Sequence, residues 1–481
     1  MELLNNFVSA LLAKPFVILT GSSGTGKTRL ALQFAEALEE GTTNTNKNWV
    51  NVVINNSGKI VSSNEEEVRD LCLQSNIFKA KLENREFTVT ISMNIQVSSD
   101  DVNYNDEISK NDRNNIQLAV AEINESKRYV HVPVGADWTD SRNMLGYVNP
   151  FGAQGKKTFE ITPTLKLILK ALHPNNTSLP FFVILDEMNL SHVERYFSTF
   201  LSIMEANRSA RSNNDLGIIE KELVPLIADT IAIEENETYD GKLIRESAEL
   251  LAKASRSIAL PSNVFIVGTV NVDETTYMFS PKVLDRAHVI ELQTESPSAF
   301  FNKVNKRIEI EDVHNVLQLF DESIQYRDRE GSSDLHPLDL LKASMVNKSD
   351  YEKMSQSLEK LLDGIYKILK TTNFDFGYRI TKEVIEYMAM YYKIAPDHDW
   401  HTSFDYAVLQ KILPKIHGNK RQLGACLDVL EDFLKGNPIN RSLSGFEIII
   451  EKTEIKLEKS LEKIKKMKRN LDFMGYTSFI N

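Results

Sequence analysis

The run Gly21-Ser-Ser-Gly-Thr-Gly-Lys-Thr28 lies between a short apolar, β-rich stretch, Phe16-Val-Ile-Leu-Thr20, and a helix-forming stretch from Lys27 to Glu39. It constrains the fold more than any other feature, because the pattern GxxxxGK[ST] works only where a strand feeds a turn and the turn feeds a helix. Its glycines let backbone N–H groups turn inward around a phosphate, and the helix behind presents its positive end. In that arrangement Gly21, Ser22, Ser23, Gly24, Thr25 and Gly26 form a cradle. Lys27 brings a point charge to the β- and γ-phosphates and Thr28 an oxygen to Mg²⁺. A nucleoside triphosphate is the expected ligand.

Such a site needs carboxylates on a second strand. Pro180-Phe-Phe-Val-Ile-Leu185 is a continuous apolar run, expected of a strand buried on both faces of a parallel sheet, and it ends in Asp186-Glu187. Strand C-termini are where α/β sheets bind ligands. Asp186 is therefore expected to hold the nucleotide's Mg²⁺, and Glu187 to act as general base on the attacking water. The similar run Val264-Phe-Ile-Val-Gly-Thr269 leads to Asn271, a polar side chain placed to sense the γ-phosphate; Asp273 and Glu274 follow it.

Strands alternating with helices predict a layered α/β nucleotide-binding domain over residues 1–295, with a mostly parallel central sheet flanked by helices. Insertions are expected at about 55–128 and 207–258, and the tract Ser98 to Asn115 reads as a surface insertion. Beyond Leu292 strand signals give way to three- and four-residue apolar spacing, predicting a helical lid domain over 296–445. Ile450, Leu457, Ile464 and Leu471 recur at seven-residue steps, so 446–481 is expected to form one amphipathic helix from about Ile448. Its Lys456, Lys459, Lys463, Lys465, Lys466, Lys468 and Arg469 read as the solvated face of a helix packed on the domain.

Composition narrows the partners. The 481-residue chain carries 56 Lys and Arg against 67 Asp and Glu, a net charge of −11 that repels a phosphate backbone and argues against a stand-alone DNA binder. Cys72 and Cys426 stand far apart, which leaves neither a disulfide framework nor a zinc ribbon. Leu3, Leu4, Phe7 and Leu11 mark a short amphipathic helix rather than a signal peptide, and no apolar stretch is long enough for a membrane span. A cytoplasmic protein is expected. His398 and His401, in Pro396-Asp-His-Asp-Trp-His401, read as a polar turn before a helix rather than metal ligands.

Taken together, these blocks resemble the McrB-like branch of AAA+ nucleoside triphosphatases, the motor subunits of McrBC-type restriction and antiphage defence systems. The resemblance rests on Gly21 to Thr28, Val134 to Pro150, Phe182 to Leu190, Val267 to Glu274, Phe279 to Ala287 and the ending Gly475-Tyr-Thr-Ser-Phe479. It implies that Arg286 is an arginine finger acting on a neighbouring subunit's nucleotide, and hence a homo-hexameric ring. It implies a second sensor in His417-Gly-Asn-Lys-Arg421, with Lys420 or Arg421 reaching the phosphates. The block around Trp138, Arg142 and Tyr147 would be a partner or translocation contact, or a loop pinned by a buried Trp.

Members of that branch hydrolyse GTP. Where they carry Met-Asn-Thr-Ala-Asp-Arg, this chain has Val270-Asn-Val-Asp-Glu-Thr275, and no NKxD-like pattern reads guanine, so GTP and ATP both stay open. Only a short helix precedes the phosphate loop, and no nuclease constellation is present. DNA recognition would then reside elsewhere, and cleavage would fall to a separate McrC-like subunit. The alternative is a MoxR- or dynein-related ATPase that remodels a protein partner.

Overall fold

The computed structural model describes residues 2–44, 50–54, 60–61, 77–82, 85–92, 96–97, 116–120, 127–152, 155–205, 217–234, 238–272, 277–294, 308, 310–329, 336–345 and 351–480. The chain divides into two compact units, one of residues 1–35, 129–309 and 315–481, the other of residues 36–128 and 310–314.

The larger unit is built on five parallel strands: β1 (Phe16–Gly21), β2 (Tyr129–Pro133), β3 (Phe181–Asp186), β4 (Val264–Asn271) and β5 (His288–Glu291). Their order is β5-β1-β4-β3-β2. The strand ending in Asn271 thus lies between the glycine-loop strand and the acidic strand. All of β1 is buried, as are β3 and β4 up to their last residues, which explains their unbroken apolar runs.

Helices cover both faces. Phe182 and Phe265 are register partners on one face, where their rings meet Phe320 of the helix Val313–Arg329, and Phe34 of α2 (Lys27–Asn44) packs on Phe182 and Phe320. Phe16, facing the opposite way, meets Phe197, which stacks on Phe200 of the helix Ser198–Glu205. Helix α1 (Glu2–Ala13) adds Phe7, edge-on to Phe34. Within the expected insertion at 207–258, the described residues include helices Val224–Glu234 and Tyr239–Lys253; the latter is tied down by Lys170–Asp240 at 2.7 Å.

The stretch after β5 is helical, with helices such as Tyr351–Lys370, Tyr378–Ile394 and Lys420–Leu434, but strands persist within it. Ile439–Leu443 pairs antiparallel with Phe446–Ile450, and His417–Asn419 with Tyr476–Ser478. The single helix expected from Ile448 therefore starts only at Glu458 and runs to Met474. Ile448, Ile449 and Ile450 are β-branched and favour a pleated strand. Ser444 and Gly445, both at positive φ (52° and 83°), form the two-residue turn that suits a right-handed hairpin. The basic side chains of the last helix are largely engaged within the chain: Lys459 with Glu2, Lys463 and Lys466 with Glu291, and Lys468 with Asp428 and Glu431.

The smaller unit contains an antiparallel sheet in the order Ile60–Val61, Val50–Ile54, Ile116–Val120, Ile77–Leu82, Arg85–Ser92, Gln96–Val97. The tract 98–115 lies outside the described residues, as do Asp273, Glu274 and Thr275. Among the described residues no helix is long and apolar enough to cross a membrane.

His288 on β5 is fully buried against Tyr387, with ring centroids 5.4 Å apart. Burial, reinforced by the nearby Lys411 ammonium, pushes its imidazolium well below the ordinary histidine range. Below about pH 6.5 the unfolded chain therefore takes up a proton that the native chain refuses. This residue should make stability fall by about 1.4 kcal/mol per pH unit as the solution is acidified below that point. Denaturant unfolding of wild type and His288→Phe between pH 7 and pH 5 checks it, because the variant should lose one proton's worth of slope.

Candidate functional site

The glycine loop takes its shape from the strand and helix that bracket it. Gly21 ends β1 at φ 145°, and a side chain there would begin 2.5 Å from the carbonyl oxygen of Leu292. Only glycine lets the chain leave the sheet at that point. Helix α2 starts six residues later, so the positive end of its dipole faces the loop. Lys27 is 5% exposed, and its ammonium donates to the carbonyls of Gly21 at 2.8 Å and Ser22 at 2.7 Å and to the Thr25 hydroxyl at 3.3 Å. Ser23, Gly24 and Gly26 are exposed on the rim.

The loop meets the acidic strand directly. The Thr28 hydroxyl donates to Asp186 Oδ1 at 2.6 Å, the Thr269 hydroxyl donates to the same oxygen at 2.6 Å, and His131 Nε2 lies 3.2 Å from Oδ2. Burial alone would raise the Asp186 carboxyl, but the hydrogen bonds from Thr269, Thr28 and His131 outweigh it and hold the group below its ordinary value. Asp186 is thus an ionised oxygen donor touching a hydroxyl at the foot of the loop. Hydroxyl and carboxylate oxygens are the hard donors Mg²⁺ accepts, so Thr28 and Asp186 fit that ion.

Glu187 follows in the left-handed region, at φ 53° and ψ 47°, a conformation that costs a non-glycine residue roughly 1–3 kcal/mol and concentrates at functional sites. Its backbone N–H donates to Thr269 Oγ1 at 3.1 Å, and its carboxylate accepts from Asn271 Nδ2 at 3.2 Å. Asn271 is the register partner of Gly21, and the next residue, Val272, donates its N–H back to the Gly21 carbonyl at 3.4 Å. Lys27, Thr28, Asp186, Glu187 and Asn271 therefore converge at one end of the sheet.

Other expected residues lie apart. Arg286 is 5% exposed and turned inward, its guanidinium donating to the carbonyls of Leu201 (3.1 Å) and Lys282. Two backbone carbonyls of its own chain hold the Arg286 guanidinium, and the finger role stays what the resemblance implies. Arg421 is exposed in the first turn of Lys420–Leu434, with no hydrogen bond or ion pair to any described residue, while Lys420 pairs with Asp472 at 2.8 Å.

Trp138 packs edge-on against Tyr196 at 5.3 Å, and its carbonyl accepts from Ser191 Oγ, whereas Arg142 and Tyr147 are exposed. His398 packs on Tyr391 and Tyr392, and one ring nitrogen meets the Ala395 carbonyl at 2.6 Å.

Sequence reasoning missed three contributors. His131 and Thr269 reach Asp186 only through strand register. The chain's ending helps to line a cavity of about 330 Å³ beside Asn271, with Asn189, Tyr277, His417 and Phe479 among its walls. Residues 332–476 match a family model described as Domain of unknown function (DUF8727), a span that excludes the glycine loop and the acidic strand. No curated protein matches the chain.

Proposed function

We propose that this chain is a Mg²⁺-dependent nucleoside triphosphatase of the AAA+ type, an McrB-like motor that uses GTP or ATP in the cytoplasm to drive a separate McrC-like nuclease against foreign DNA. One observation carries the hydrolytic part: the Thr28 hydroxyl and the Asp186 carboxylate meet at 2.6 Å, with Lys27 behind them and Glu187 bonded to Asn271 alongside. The motor and restriction parts rest on the sequence blocks that resemble that branch.

In this reading the loop N–H groups and Lys27 neutralise the β- and γ-phosphates. Glu187 takes a proton from the water that attacks the γ-phosphorus while the bond to the bridging β–γ oxygen breaks. Asn271 holds Glu187 and faces the transferred group. Mg²⁺, held by Thr28 and Asp186, would offset charge developing on the phosphate oxygens. Ring formation, a hexamer in the branch it resembles with Arg286 serving a neighbour's nucleotide, rests on the resemblance alone, and DNA would be met mainly through the partner.

The test is turnover and mass measured with GTP and with ATP, with and without Mg²⁺. Mg²⁺-dependent release of phosphate from at least one of them, with nucleotide-dependent growth in mass, is expected. Absence of both binding and turnover with either nucleotide overturns the proposal.

A further inference from the structure

His131 belongs to the edge strand β2, where Ile184 is its register partner and Pro133 that of Asp186. From that position its ring leans diagonally toward the acidic tip and brings Nε2 to 3.2 Å from Asp186 Oδ2. A carboxylate only accepts hydrogen bonds, so Nε2 carries the proton in this contact.

The other oxygen, Oδ1, is already shared by the hydroxyls of Thr28 and Thr269. Those two bonds fix Oδ1 but leave the carboxylate plane free to turn about it. His131 supplies the third point, and three points define a plane. With side chains 40% and 27% exposed, the pair has little value to fold stability, because exposed ion pairs contribute about 0–1 kcal/mol. Its weight therefore falls on orientation rather than on folding.

We propose that His131 is a positioning residue that sets the plane of Asp186 for the Mg²⁺–nucleotide complex. The inference rests on reading this site as a Mg²⁺-dependent nucleotide site, and it assigns a role to a residue outside the glycine loop and the acidic pair. Partners that orient a ligating carboxylate typically change metal affinity by about 10–100-fold when removed.

The experiment follows binding of a fluorescent GTP or ATP analogue to the full chain as Mg²⁺ is titrated, without reference to turnover. For His131→Leu, the Mg²⁺ concentration giving half the tightening should rise by about tenfold, while Mg²⁺-free binding and the unfolding midpoint stay as in wild type. His131→Gln, which keeps an N–H at similar reach, should restore most of the loss. A His131→Leu titration that overlays wild type overturns the inference, as does failure of His131→Gln to restore it or an equal loss of Mg²⁺-free binding. Lys27→Ala separates the two levels: if wild type binds nucleotide no better than Lys27→Ala, the nucleotide site itself fails and the role of His131 falls with it.

Discussion

Replacing Glu187 by Gln should lower the turnover number by about 10²–10⁴-fold, the usual worth of a positioned general base, while nucleotide binding persists. The substitution is well isolated. Gln has the same length, its amide oxygen can still accept from Asn271 Nδ2 as the carboxylate does at 3.2 Å, and its backbone can keep the left-handed turn whose N–H donates to Thr269. What disappears is the capacity to take a proton. Asp186→Asn should differ in kind, because it removes charge from the oxygen that Thr28 and Thr269 both address, and so should weaken Mg²⁺-dependent binding as well as turnover. Single-turnover phosphate release with equilibrium nucleotide binding distinguishes the two. A Glu187→Gln chain that hydrolyses at the wild-type rate would remove this residue from the chemistry.

Placements written in local spacing were legible in the sequence. The glycine loop needs a strand before it and a helix after it, and the apolar runs ending in Asp186 and Asn271 announce strands buried on both faces; their tips do meet. Contacts set by register were not. His131 alternates with Val130 and Val132 as a solvent-facing residue of an edge strand would, and nothing local says that Asp186 lies one pleat further on.

Direction was equally hidden at Arg286. Whether an arginine after a short helix turns outward or inward depends on which carbonyls lie within reach, and Leu201, in a distant helix, supplies one of them. At Ile450 two periodicities competed. The residue lies on the seven-residue phase of the last helix, but the three consecutive isoleucines and the turn at Ser444-Gly445 favour a hairpin, and the hairpin prevails. Val50–Ile54 and Arg85–Ser92 belong to an antiparallel sheet in a unit of its own, a pairing that nothing local in their sequence specifies.

The turn that carries Arg286 is fixed from below by a buried charge cluster, and there the largest stability effect is expected. Glu383, on the helix Tyr378–Ile394, accepts from Lys14 on one oxygen and pairs with Lys411 at 2.7 Å on the other. Lys411 also donates to the carbonyls of Asp285 at 3.2 Å and Ala287 at 2.9 Å, on either side of Arg286, while Lys415 and Arg379 hold the Asp285 carboxylate. Two ammonium groups share one carboxylate. Burial would raise Glu383, but Lys411 and Lys14 together hold it far below the carboxylate range, whereas burial lowers both lysines. Glu383→Leu leaves two buried cations facing each other, and breaking a buried pair in this way costs about 3–5 kcal/mol. Replacing all three charges together (Lys14→Met, Glu383→Leu, Lys411→Met) should recover most of that loss, since a well-packed apolar core is often as stable as a buried ionic one. Denaturant unfolding measures both. A single Glu383→Leu change costing under about 1 kcal/mol would mean the cluster is solvated and does not anchor the Arg286 turn.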